Sequence, residues 1–210
     1  IDAGNGGISG IDEFDGNNTT VANSVDGVAV DGVTYTFPIG DKTTAFVGFD
    51  TDGSQLYTTA CVYGGPGNML DDCGNVNAAF ISGEAAVGAS YDFGNGLTAA
   101  FGAQTVAGNT PAPGAGVFTE ESRDSFGLNA AYTGDNYGVS ATYGNIESTA
   151  IVAAGEVDTF VALNAYYTFD NGMSVSAGYE LGDLGGATGN TDESVNYFVG
   201  INGAVGAGEL

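Results

Sequence analysis

Residues Tyr167–Asp183 read YTFDNGMSVSAGYELGD, and the alternation that follows Asp170-Asn171-Gly172 decides the fold. Every second residue is apolar: Met173, Val175, Ala177, Tyr179 and Leu181. Between them stand Ser174, Ser176, Gly178, Glu180 and Gly182. A period of two puts these sets on opposite faces of a β-strand. A soluble sheet usually carries long charged side chains on its wet face, whereas the second face here is small.

The same unit recurs on both sides of this stretch. Val33, Tyr35, Phe37 and Ile39 lead through Gly40-Asp41-Lys42 to Ala45, Val47 and Phe49. Ala85, Val87, Ala89, Tyr91 and Phe93 turn at Gly94-Asn95-Gly96 into Leu97, Ala99, Phe101 and Ala103. Phe126 to Tyr132 turns at Gly134-Asp135-Asn136 into Tyr137 to Tyr143, and Val161 to Phe169 leads into the opening stretch. Val195, Tyr197, Val199 and Ile201 make a last strand, for nine in all. Asn-Gly and Asp-Asn pairs supply the positive φ that tight hairpins require.

Connections alternate in length. Tight turns fall near 40–42, 94–96, 134–136 and 170–172, and long polar loops near 50–78, 107–121, 146–157 and 183–193. One end of the sheet therefore has short turns and the other long loops. Aromatics crowd the turn end, among them Tyr35, Phe37, Tyr91, Phe93, Tyr167 and Phe169. The expected fold is all-β: an antiparallel up-and-down transmembrane β-barrel, or a large part of one, with an aromatic girdle. A soluble β-sandwich or solenoid is the competing fold, but it calls for charged residues on the non-core face and at the edges.

Composition narrows the function. The 210 residues include 37 Gly, no His and no Trp, and only Lys42 and Arg123 oppose 26 acidic residues, giving a net charge of -24. Nucleic acid is an unsuitable partner for such a chain, because phosphates must be neutralised by basic residues. Cations are the natural counter-charge. No run of eighteen apolar residues offers a transmembrane helix, which leaves a barrel open. Residues 1–27 read as an irregular acidic segment or loop, and 28–210 as the barrel portion with a long loop at 50–78. The start at Ile1 rather than Met is expected to mark an N-terminus processed, cleaved or left out of the numbering.

No His is available for a Ser-His-Asp or Cys-His arrangement, and the chain is not expected to be an enzyme. Cys61 and Cys73 share the stretch Tyr57–Asn75. Bridged, they would stabilise by limiting the unfolded chain, by roughly 2–3 kcal/mol, and an exported location favours that pairing over two free buried thiols. The loop that holds them, with Asp71 and Asp72, is either a constriction or an ordinary external loop. No cofactor is expected. The carboxylates at Asp50 and Asp52, or at Asp12, Glu13 and Asp15, offer hard oxygen ligands that suit Ca²⁺ or Mg²⁺; Ca²⁺ is the metal weighed, and neither set completes a calcium loop.

If the apolar set faces lipid, Glu84, Asp92 and Glu180 point into a lumen with Ser140, Ser174 and Ser176. Small polar residues there leave room for water, and acidic ones favour cations.

Several stretches resemble bacterial porins: Tyr35–Gly48 (YTFPIGDKTTAFVG), Tyr63–Phe80 (YGGPGNMLDDCGNVNAAF), Tyr91–Gly96, Gly127–Gly144, Ala162–Glu180 and Val195–Asn202. The resemblance, over Val28 to Leu210, is strongest to cyanobacterial porins with an N-terminal surface-layer-homology domain. It implies a homotrimeric channel for inorganic ions and small hydrophilic solutes in the outer membrane of a Gram-negative-type bacterium. The domain that binds peptidoglycan-linked polymer in that family has no counterpart among residues 1–210. Nine strands are fewer than the family uses, and Leu210 stands where a terminal aromatic is expected. The chain is therefore expected to be an internal or carboxy-terminal-half portion of a larger protein. The alternative function is an exported structural or adhesive β-protein, assembling into a sheet or fibre bridged by Ca²⁺.

Overall fold

A computed structural model describes residues 2–3, 28–29, 32–62, 73–80, 85–105, 123–147, 157–185, 192–205 and 208–209. Nine strands form one antiparallel sheet in sequence order: β1 (Val33–Ile39), β2 (Thr43–Phe49), β3 (Ala85–Gly94), β4 (Leu97–Thr105), β5 (Asp124–Thr133), β6 (Tyr137–Glu147), β7 (Val157–Thr168), β8 (Ser174–Leu184) and β9 (Glu193–Asn202). The sheet is open, with β1 and β9 at its edges. Two-residue ladders pair Asp2–Ala3 with Val28–Ala29 and Ala204–Val205 with Gly208–Glu209. No helix occurs among the described residues.

The expected strands, order and turns are those observed. Asn95 and Gly96 both have positive φ, 56° and 83°, as a two-residue hairpin turn of the primed type demands. A side chain at Gly96 would also run into the backbone oxygen of Thr133 on β5. Gly96→Ala is therefore expected to cost about 1–3 kcal/mol, read as a lower denaturant midpoint with an unchanged slope.

Burial alternates along the strands, buried and exposed in turn over Ser174–Asp183. The exposed positions are the apolar ones, so the usual arrangement is inverted: Val87, Phe101, Leu128, Leu163, Tyr179 and Val199 all stand outward and open. Soluble monomers rarely expose a contiguous apolar patch beyond a few hundred Å², and here such residues run across every strand. At the tight-turn end the outward face ends in aromatic pairs. Tyr35 lies 5.4 Å from Phe37, Tyr91 4.8 Å from Phe93, Tyr132 5.6 Å from Tyr137 and Tyr167 5.0 Å from Phe169, between ring centroids.

The opposite face holds what core there is, and it is thin. Its buried apolar residues are mostly alanines, with one cluster of Ala78, Phe160 and Ala162 backed by Ile146 and Leu184. Polar side chains are buried beside them, including Gln104, Asn129, Thr142, Asn164 and Glu180. Burying such groups is costly unless each finds a hydrogen-bond partner. The partner is another part of the same chain.

Candidate functional site: an inward-folded loop on the polar wall

The segment between β2 and β3 lies along the inward face in two arms. The outgoing arm is held by its backbone. Gly53 N donates to Gln104 Oε1 (2.7 Å), Thr58 N to Asn129 Oδ1 (2.9 Å), Ala60 N to Ser140 Oγ (2.9 Å) and Val62 N to Ser176 Oγ (2.9 Å). Asn129 and Ser176 also donate back to the carbonyls of Thr58 and Val62. Residues 58, 60 and 62 are spaced by two, so one edge of an extended segment meets the wall and crosses from β5 to β8. Side chains on the strands thus do what a neighbouring strand would do.

The return arm lies on the same wall. Asn164 donates to the Cys73 carbonyl (2.7 Å), and Asn75 to Thr142 Oγ1 (3.1 Å), which also accepts from Asn129 (2.9 Å). Glu180 takes the backbone N–H groups of Asn77 and Ala78 (2.8 and 2.9 Å) and the side-chain amides of Asn77 and Asn196 (2.7 and 2.9 Å). Each neutral bond contributes about 0.5–1.5 kcal/mol net, and those to the carboxylate more.

Cys61 and Cys73 are bridged, with Cα atoms 6.2 Å apart, within the usual disulfide range. The bridge ties the outgoing arm to the return arm. Of the two sequence readings of the cysteines, the disulfide is the one observed.

Glycines make the close approach possible. In one register row the wall reads Phe46, Gly88, Gly102, Gly127, Gly144, Phe160, Gly182 across β2 to β8. A Cβ at Gly102 would strike the Gly53 carbonyl, one at Gly127 the Tyr57 hydroxyl and the Phe80 ring, and one at Gly144 the backbone of Ala78. Two rows nearer the turns on the same face, a Cβ at Gly178 would strike the Cys73 carbonyl. At the ends of the glycine row the rings of Phe46 and Phe160 cover Gly88 and Gly182. Tyr57 and Phe80, one from each arm, sit 6.2 Å apart over this row, and burial pushes the Tyr57 hydroxyl's ionisation well above its ordinary range.

Glu180, Ser140, Ser174 and Ser176, the lumen candidates of the sequence, share the face of the sheet that carries the loop. All four are buried, Glu180 completely. Ser140, Ser176 and Glu180 hold the loop, and Ser174 bonds Thr168 Oγ1 on β7 (2.8 Å). Asp92 is exposed near the tight turn, where its Oδ1 accepts from Gly94 N (2.8 Å). Glu84, Asp71, Asp72, Asp12 and Asp15 lie outside the described residues. Asp50 is exposed with φ 55°, Asp52 is half-buried, and no group of three or more Asp, Glu, His or Cys among the described residues is placed to hold a metal.

The asparagines of the wall were not singled out from sequence, although a signal was present. Leu128-Asn129-Ala130 and Leu163-Asn164-Ala165 repeat one tripeptide, each with Asn on the face opposite its Leu. An inward Asn offers both a donor and an acceptor, which is what pairing with backbone requires. Compared with known proteins, the chain matches no family model and no curated sequence.

Proposed function

We propose that the protein is an outer-membrane channel of the porin type, for passive diffusion of cations and small hydrophilic solutes in a Gram-negative-type bacterium. The observation that carries the reading is the inverted sheet, with its apolar residues outward and exposed on all nine strands and its polar residues inward. Lipid is the environment that stabilises such a face, and aromatic pairs at the turn end suit the interfacial level of a bilayer.

An open sheet edge in hydrocarbon leaves backbone groups unpaired. β1 and β9 are separated by seven alternating strands and so run in the same direction. Closure with antiparallel partners throughout therefore takes an odd number of additional strands. A trimer is the assembly that the porin resemblance implies. The channel works by exclusion and electrostatics, with no bond made or broken. The loop on the inner wall narrows the path, and the net charge of -24 favours cations.

Reversal potentials across a planar bilayer with a salt gradient test this reading. The expected result is stepwise conductance with cations preferred over anions, the preference shrinking as salt screens the field. Anion preference, or no conductance from detergent-extracted protein, would overturn it. The rival, a calcium-bridged extracellular sheet, predicts instead that chelator alone disperses the protein without detergent.

A further inference from the structure

We propose that Glu180 is a positioning residue, a latch that fixes the return arm of the loop and thereby sets the width of the path; this rests on the channel reading above. Its carboxylate is completely buried, and among the described residues its hydrogen-bond partners are N–H groups rather than a basic side chain. The chain has only two basic side chains: Lys42 lies 3.5 Å from the Phe93 carbonyl at the turn end, and Arg123 precedes β5.

The charge is instead met by four N–H donors. Oε2 takes the consecutive backbone N–H groups of Asn77 and Ala78, and Oε1 takes the amides of Asn77 and Asn196. Consecutive backbone N–H groups converging on an anion form a concave anion-binding arrangement, here with an anion fixed on the wall. Hydrogen bonds to an ionised acceptor are the strong kind. Ala162, opposite Glu180 in register on β7, packs with Ala78 and Phe160, so the latch closes over an apolar contact.

A carboxylate in this setting governs where the loop lies rather than which ion passes. Truncating it strips the Asn77 and Ala78 N–H groups of their acceptor, and lifting the arm into water satisfies them again. Glutamine is a different change. Its one oxygen can accept both backbone N–H groups, while the Asn77 and Asn196 amides turn over to accept from its NH₂. Charge and position can therefore be separated by two substitutions at one site.

The test combines amide exchange in detergent-solubilised protein with single-channel recording. In Glu180→Ala, exchange at Asn77 and Ala78 is expected to quicken at least tenfold while β5 and β6 keep their protection, and conductance is expected to rise. In Glu180→Gln, exchange, conductance and reversal potential are expected to stay near those of the unmodified protein. Unchanged protection in Glu180→Ala would overturn the latch. So would an equal shift of reversal potential in both variants, which would mark a selectivity charge. Should Glu180→Ala fail to fold, Asn77→Asp sets a second carboxylate against Oε1 from the loop side, and the same rise in exchange at Ala78 is expected; no rise there overturns the proposal. Exchange needs no conducting protein, so failure of the channel reading and failure of the latch are told apart.

Discussion

Leu163→Arg is expected to remove most of the assembled protein from the membrane. Leu163 stands mid-strand on β7, 58% exposed on the outward face, between Val161 and Ala165. On a lipid-facing barrel surface an arginine near the bilayer midplane costs about 2–4 kcal/mol, and one near the interface about 0–1 kcal/mol. Asp183→Arg, at the loop end of β8, is the matched control: it also places an arginine on the outward face but near the interfacial level. The two variants should differ by more than tenfold in folded, heat-resistant protein recovered in detergent. If the outward face met water, both would be ordinary surface changes, within about 0.5 kcal/mol of the parent. Equal recovery of the two would therefore count against lipid on this face.

Gly178→Leu should have the second largest effect, and on the other face. Its side chain would project into the carbonyl of Cys73, beside the Asn164 amide that now binds that oxygen. Neither neighbour can yield freely, because Cys73 is bridged to Cys61 and Asn164 is buried on β7. Overpacking of this kind costs about 1–3 kcal/mol, and displacement of the return arm is the available relief. The expected result is a larger and noisier conductance together with a lowered unfolding midpoint. Ala177→Leu, one residue away and facing outward, should leave both near the parental values. A conductance unaltered by Gly178→Leu would mean that the loop arms do not bound the path.

Most of the sheet is legible in the sequence because its signals are local. Alternation over Met173–Leu181 assigns faces, Asn95-Gly96 marks a hairpin, and unequal connection lengths sort the two ends. Nine strands with those boundaries follow without any long-range information. The loop is different. Gly53 meets Gln104 across 51 residues and Val62 meets Ser176 across 114, and nothing in the chemistry of Ser176 distinguishes a serine facing water from one facing a backbone. The same ambiguity applies to Gly178, since a glycine suits an open lumen as well as a carbonyl packed against it.

The sequence therefore identified a wall of small inward residues but not what lies on it. Glu180 is the clearest case. As a carboxylate among small residues it reads as a lumen charge, and only the placement of Asn77, Ala78 and Asn196 makes it a buried acceptor. The cysteines carried more information: their position in the loop made a bridge the favoured reading, and it joins the two arms on the wall.

The channel reading sets lipid against the outward face of the sheet, while the inward face meets the protein's own loop. Single spin labels placed at each residue from Val161 to Tyr167, in protein reconstituted into liposomes, test it most directly. Collision with oxygen, which concentrates in the bilayer, should peak at 161, 163 and 165, while 162 and 164 should be shielded both from oxygen and from a water-soluble nickel chelate. High access of the nickel chelate to 161, 163 and 165 would place the apolar face in water and contradict the account.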